Sequence, residues 1–400
     1  MIVNGKRSLA HVEKVTWVKP IEGHDGLELI GVLGWKCISE SGTFSEGDLC
    51  VYIEINSKVP KKEWSEFLYH HDYEVKTTHF KDLNVISQGI ALPLNVFDVE
   101  IPNKEGEDVT ELLKITSYNL EDFTLQSDLP NEYDLENQRR EEMIGDSGDW
   151  LMNSGWGKKS MSYLFGEEKD PNQGFPTRFP HISKTNLEFI ENIPDILKDK
   201  TPFIRAQKCD GLSATYILEK IKKSFGKPAF EFYVCSQNYR LFKRNDDSSD
   251  NMENYYWEMA EKYDIEDKLK FYLENNEECE YVCWQGEICG PEINGNPQKL
   301  TENHLFCFQM IDSVFGKFDI RNAKHIWYEY DMECVPIESM TYILPDDFEE
   351  FKRTADGYYS KNVCEGQTDC IREGWTYYKT TDPSFSFKNT SINYLIDKNI

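Results

Sequence analysis

The chain has few positive charges for its size. Lys and Arg total 44 of 400 residues against 71 Asp and Glu, giving a net charge of −27. So acidic a protein cannot bind nucleic acid through bulk charge, because phosphate affinity rests on Lys and Arg, although a local basic groove stays open to it. No window approaches the roughly 18 consecutive apolar residues a membrane span requires. The opening segment Met1-Ile2-Val3-Asn4-Gly5-Lys6-Arg7 turns polar at once and has no apolar stretch of the kind a secretory signal carries, so a cytoplasmic or nuclear location is expected. The eleven cysteines are odd in number and contain no CxxC pair. Cys279 and Cys283, separated by three residues, have no histidine at zinc-site spacing, so all eleven are expected reduced and mostly buried. There is no internal repeat and no GxxxxGK[ST] phosphate loop. What the chain does have is 39% hydrophobic and 14% aromatic residues, enough for a large core and for two to three domains.

Residues 1–120 read as short strands broken by turns: Val12–Val18, Leu27–Val32, Cys50–Ile55 after the Glu46-Gly47-Asp48 turn, and Val85–Leu94. Asp108 or Thr110 offers a cap for a short helix over 108–113. Such spacing suggests a small OB-like barrel. From residue 121 to 174 the composition shifts to Asp, Glu, Asn, Ser and Gly, as in a linker or insertion, with a helix expected near Glu136–Met143. Residues 175–400 are strand-like again at Phe203–Ala206, Ser213–Leu218, Phe230–Cys235, Tyr281–Ile288 and Leu305–Ile311. The run Met252–Tyr272 places Tyr255, Met259, Tyr263 and Leu269 near helical spacing. The expected class is α+β, an OB-like barrel followed by a mixed, largely antiparallel domain.

Lys208-Cys209-Asp210-Gly211 lies between two of these strands. A lysine partly desolvated and close to other cations has its pKa lowered toward that of an amine nucleophile. Gly211 permits a tight turn, and Asp210 could orient the lysine or a metal-bound water. Alone, the motif equally fits a hairpin with a solvated lysine. Downstream, in order, stand Gly286-Glu287-Ile288-Cys289-Gly290-Pro291, Phe306-Cys307-Phe308-Gln309-Met310, Arg372-Glu373-Gly374-Trp375 and Ser386-Phe387-Lys388. Together these resemble the covalent nucleotidyltransferase superfamily of ATP-dependent ligases and capping enzymes. Phe44–Glu54, Val85–Gly89, Asp108–Leu113, Phe179–Asn186 and Glu191-Asn192 resemble further the ATP-dependent RNA ligase class, which places its OB module before the transferase domain.

The resemblance implies three steps. Lys208 attacks the α-phosphorus of ATP and releases pyrophosphate, AMP passes to an RNA 5′-phosphate, and a 3′-OH displaces AMP to seal RNA ends, in this reading at nicks in duplexed RNA. It implies Lys388 as a phosphate-binding lysine, Glu373 as a metal-associated carboxylate with Asp210 beside it, Glu287 on the ribose, Phe308 stacked on adenine, and Lys184 and Asn192 near the nucleotide. Mg²⁺ or Mn²⁺ is implied as the phosphate-bound cation, and a monomer is expected, with no membrane partner. Three positions depart from the family pattern. Ser236-Gln237-Asn238 stands for Ser-Arg-Asn, leaving that contact to Arg240; Gln309 stands for an aspartate; and Ser386-Phe387-Lys388-Asn389-Thr390 has one lysine where the pattern has two spaced two apart, with Lys379 as the candidate substitute. Basic clusters at Lys58, Lys61 and Lys62, at Lys222, Lys223 and Lys227, and at Lys243 and Arg244 suggest an RNA-tracking groove. Two other functions fit the same motifs: an mRNA guanylyltransferase, disfavoured because that class carries its OB domain last, and a degenerate ligase that only binds RNA.

Overall fold

A computed structural model describes residues 1–3, 6–117, 177–178, 182, 187–221, 229–237, 239–241 and 251–398. The first domain is built on a five-stranded antiparallel sheet. Its strands β1 (Ala10–Ile21), β2 (His24–Val32), β3 (Trp35–Glu40), β4 (Leu49–Ile53) and β5 (Ile90–Pro93) lie in the order β5-β4-β1-β2-β3. Alternation along β1 and β4 buries Ala10, Val12, Val51 and Ile53 against Trp64, Leu68, Val109 and Leu113. The expected single strand over Val85–Leu94 is two, Val85–Gln88 and β5. Gly89 breaks it with φ of 79°, where a Cβ would lie 2.5 Å from the Tyr52 hydroxyl. Residues 108–113 form a turn and not a helix. Thr110 Oγ1 accepts from the amides of Leu9 (2.8 Å) and Ala10 (3.0 Å), which ties the segment to β1. The 121–174 stretch and its expected helix lie outside the described residues.

The second domain sandwiches two sheets. One runs in the order Thr177–Arg178, β10 (Tyr239–Leu241), β9 (Ala229–Cys235), β8 (Leu212–Ile221), β11 (Tyr281–Cys289), β12 (His304–Asp312) and β13 (Gly316–Lys317). The other runs β6 (Glu188–Phe189), β16 (Asp382–Thr390), β15 (Gly374–Lys379), β7 (Phe203–Lys208) and β14 (Ile337–Tyr342). All five strands expected here are present. The helix expected over Met252–Tyr272 is two, α1 (Asn251–Lys262) and α2 (Ile265–Asn275), because Asp264 takes φ of 47° and turns the chain out of the helix. Both helices cover the back of the first sheet, where Met259, Leu269, Tyr216, Leu218 and Trp284 are buried in one core. After α3 (Ile320–Glu329) and α4 (Phe348–Arg353), the chain ends in α5 (Ile392–Lys398).

The two domains share a core. Phe189 of β6 and Tyr394 and Leu395 of α5 pack with Val15, Ile30, Trp35 and Tyr52 of the first domain. Asn192 locks this seam. Its amide donates to Glu54 (2.6 Å) and Glu188 (2.8 Å), and its carbonyl oxygen accepts from Trp35 Nε1 (2.7 Å). Glu54, fully buried, also meets His11 (3.3 Å) and Arg7 (3.2 Å). Burial alone would raise its carboxyl, but the His11 hydrogen bond and the charges of the chain's amino group and Arg7 hold it well below the usual carboxylate range. All eleven cysteines are free and ten are buried, with Cys334 half-buried. Among the described residues no helix is long and apolar enough to cross a membrane.

Candidate active site

Lys208 is the last residue of β7 and sits opposite Gly374 of β15. Register then orders one face of this sheet in rows. Lys208, Gly374 and Thr390 form the first, Ala206, Thr376 and Lys388 the second, and Ile204, Tyr378 and Ser386 the third. Two glycines make the rows possible. A Cβ on Gly211 would stand 2.2 Å from the Ile288 carbonyl oxygen, and one on Gly374, whose φ is 149°, 2.2 Å from that of Asn389. The Gly in each motif is therefore required by close backbone approach.

Lys208 Nζ lies 2.8 Å from both carboxylate oxygens of Glu373. Both side chains are largely buried, at 20% and 14% exposure, so this pair is shielded from solvent screening. The expectation of a lowered lysine pKa is overturned. Burial does pull the ammonium down, but Glu373, Glu287 and Asp210 outweigh it, leaving Lys208 above the ordinary lysine value. Burial in turn raises the Glu373 carboxyl, against the pull of Lys208. Lys208 therefore rests as an ammonium, and a proton acceptor already touches it.

Lys388 differs. Its Nζ lies 3.8 Å from the centroid of the Phe189 ring, whose neighbour Arg7 approaches to 4.7 Å. Burial, with repulsion from Arg7 and Lys208, sets its pKa well below the usual value. A buried cation that feels two others and lacks an ion pair among the described residues is suited to an anionic ligand.

Asp210 is fixed through all its polar atoms. One carboxylate oxygen accepts from Asn294 Nδ2 (2.8 Å), the other from the Tyr394 hydroxyl, and the backbone oxygen from Gln298 Nε2 (2.8 Å). Tyr359 accepts from the amides of both Asp210 and Glu373, each at 3.2 Å, tying the two motifs together. Arg372, next to Glu373, donates to the carbonyls of Ala355 (2.9 Å), Thr354 (3.0 Å) and Asp356 (2.5 Å), which orients the motif strand. Glu287 accepts from the Gly211 amide at 3.2 Å and so faces the Lys208 loop. Phe308 lies at the bulge in β12, its carbonyl oxygen accepting from Tyr378 at 3.4 Å.

The remaining expected positions are dispersed. Arg240 of β10 pairs with Glu231 at 2.8 Å and lies 4.1 Å from the Tyr233 ring, across the sheet from Gln285 and Gln309. Gln309 donates to Gln285 (2.5 Å), which donates to Thr215 (3.3 Å), so the glutamine in the aspartate position extends a neutral hydrogen-bonded row. Asn192 occupies the domain seam, its two donors committed to Glu54 and Glu188. Lys379 is held by Asp199 at 2.7 Å. In the first domain, Lys58 pairs with Asp72 (3.0 Å) and Lys62 with Asp98 (2.7 Å), while Lys61 lies 5.5 Å from the Tyr73 ring. Lys184, Lys222, Lys223, Lys227, Lys243 and Arg244 lie outside the described residues. Tyr359, Tyr394, Asn294 and Gln298 carried no sequence signal, since nothing in their local pattern marks them.

No group of three His, Cys, Asp or Glu side chains among the described residues is placed to cage a metal. Asp210 has both oxygens engaged by neutral donors, whereas among the described residues the Glu373 carboxylate is held by the Lys208 ammonium alone. This donor set suits a hard cation borne mainly by phosphate oxygens and waters, with Glu373 as its protein contact.

An N-terminal β-domain is docked on a two-sheet domain that pairs a lysine with a buried carboxylate at the end of β7. Residues 9–94 match an OB-fold domain family and residues 201–391 match the RNA ligase family. The chain therefore carries an OB-fold domain ahead of an RNA ligase domain. The fold is similar to that of Naegleria gruberi RNA ligase. One structure of that enzyme, with PPi, aligns with TM-score 0.71 at 23% identity over 98% of this chain and 99% of that one. A variant of it with AMP and Mn aligns with the same score, identity and coverage. Another variant, with ATP and Mn, gives 0.72 at 22% identity over 98% of both chains. No curated protein matches by sequence.

Proposed function

We propose that this protein is an ATP-dependent ligase that joins RNA 3′-OH and 5′-phosphate ends through a lysyl-AMP on Lys208 and an RNA-adenylate, acting as a nick-sealing repair enzyme. The observation that carries this reading is the Lys208–Glu373 pair at 2.8 Å, set one row from Lys388 on the face between the two sheets. In the first step the Lys208 amine forms a bond to the α-phosphorus while the bond to the β-phosphate oxygen breaks and pyrophosphate leaves. The ammonium proton must go first, and the burial-raised carboxylate of Glu373 is in place to take it. Lys388 holds negative charge on the transferring phosphoryl group. Asp210, immobilised by Tyr394 and Asn294, fixes the loop that carries Lys208, and Glu287 and Phe308 are assigned to the ribose and the adenine. A divalent cation, when bound, supplies positive charge on the phosphate oxygens. The ATP, AMP and Mn in the similar Naegleria gruberi structures support ATP and a divalent metal as the partners here.

A guanylyltransferase fits less well, because the OB-fold domain precedes the ligase domain. A degenerate ligase is countered by the intact Lys208–Glu373–Lys388 constellation. The test is sealing of a nicked RNA duplex carrying 3′-OH and 5′-phosphate ends with ATP and Mg²⁺. A sealed strand with release of AMP supports the proposal, and absence of sealing with ATP or Mn²⁺ under any tested end chemistry overturns it.

A further inference from the structure

The third row of this face carries Ser386, two residues before Lys388 and so at one of the two positions spaced for the second lysine of the ligase pattern. Successive rows lie about 7 Å apart along a strand, so a cation missing there leaves the outer part of the phosphate path without a partner. The structure supplies a cation at that place from a different strand. Lys317, on the edge strand β13, is in register with Ile311 and so projects from the same face of its sheet as Gln285 and Gln309. Its Nζ donates to Ser386 Oγ at 3.1 Å and lies 5.8 Å from the centroid of the Tyr378 ring. Tyr378 in turn donates to the carbonyl oxygen of Phe308 at 3.4 Å and feels the charge of Lys208. Lys317 thus stands at the junction of the two sheets, between the Phe308 side of the pocket and the row next to Lys388.

Resting on the ligase reading above, we infer that Lys317 provides the second phosphate-binding cation of this site, in place of the lysine absent at Ser386, and that it binds the polyphosphate of ATP. Lys379, the substitute nearest in sequence, is already neutralised by Asp199. Lys317 has no ion pair among the described residues. Its hydrogen-bond partner is a neutral hydroxyl, and the carboxylate it feels most is Asp382, itself held by Ser384. Burial lowers its pKa to about 8, the state of an ammonium short of an anion. A phosphate oxygen would complete it, and Ser386 would then orient the ammonium while leaving room that a lysine side chain would fill.

The experiment compares the wild type with Lys317→Met, Lys317→Arg and the double variant Lys317→Met/Ser386→Lys, checking each for an unchanged melting curve. Two quantities are measured: the equilibrium dissociation constants for ATP and for adenosine, and the rate of label transfer from α-labelled ATP to protein. Lys317→Met is expected to bind ATP about 10- to 100-fold more weakly, the effect of losing one charge-assisted contact, with adenosine affinity unchanged. Lys317→Arg should keep most of the ATP affinity, and Ser386→Lys in the double variant should restore at least tenfold of the loss. Wild-type ATP affinity in Lys317→Met, an equal loss for adenosine, or no recovery in either the arginine or the double variant would overturn the inference. If no protein becomes labelled while the binding pattern holds, the ligase reading falls and the polyphosphate site stands. If labelling depends on Lys208 but not on Lys317, the reverse is true.

Discussion

Replacing Asn192 by Asp changes one NH₂ group to an oxygen and almost nothing in volume, yet it should be among the most damaging single changes in the protein. Both donors of Asn192 are used, at 2.6 Å on Glu54 and 2.8 Å on Glu188, and Glu54 is fully buried. Aspartate would lose both charge-assisted hydrogen bonds, each worth about 1.5–3 kcal/mol, and would add a third carboxylate to the same seam. The expected destabilisation is therefore about 3–6 kcal/mol. Asn192→Ala should cost somewhat less, about 2–5 kcal/mol, because it strands Trp35 Nε1 and one face of Glu54 without adding charge. The ranking is the sharper expectation, since an ordinary cavity argument puts alanine below the isosteric aspartate. Urea unfolding followed by tryptophan fluorescence measures it. Lowering the pH should narrow the gap for Asn192→Asp, as the new carboxyl regains a proton to donate. The resemblance to RNA ligases implies instead a nucleotide contact for Asn192. In that case ATP affinity would fall while stability stayed within about 0.5 kcal/mol of wild type, and that pair of results would refute the seam assignment.

Other outcomes follow from the same geometry. Glu373→Ala and Lys388→Ala should each slow protein–AMP formation by about 10²-fold or more, measured as initial rates with labelled ATP, as expected for one lost transition-state charge contact. Lys379→Ala should adenylate at close to the wild-type rate, because its ammonium is already spent on Asp199. The His11 imidazolium is raised in the fold, where burial is outweighed by hydrogen bonds to Glu13 and Glu54. Its contribution to stability is then complete below the unfolded value near ~6.5 and lost as pH rises through the folded value, so His11→Gln should flatten the alkaline limb of a pH–stability profile.

Much of the candidate site was legible because each motif lies in a strand or next to one. Lys208 closes the strand β7, and Gly211 and Gly374, beside the two charged motif residues, mark close backbone approaches where a Cβ would stand 2.2 Å from a neighbouring carbonyl oxygen. Runs rich in β-branched and aromatic residues, such as Ala10–Ile21 and Tyr281–Cys289, carry their own signal even though burial on both faces removes a two-residue burial pattern. What the sequence hides are pairings between distant positions. The sign of the Lys208 shift depends on Glu373, 165 residues away, and the basic look of Lys58 and Lys62 is cancelled by Asp72 and Asp98, 14 and 36 residues away. Tyr394 and Tyr359 hold the Lys208–Gly211 loop from places with no motif. The break between α1 and α2 rests on one residue, Asp264, in a left-handed conformation that helical spacing on either side gives no reason to expect.

The central claim is that Lys208 becomes covalently joined to AMP. The most direct measurement is denaturing gel electrophoresis after incubation of wild type, Lys208→Ala and Lys208→Arg with α-labelled ATP or GTP and Mg²⁺. The account predicts label on the wild type from ATP alone, none from GTP, and none on either variant, arginine failing because its guanidinium stays protonated and cannot attack. Label on Lys208→Ala, or label from GTP in place of ATP, would contradict it.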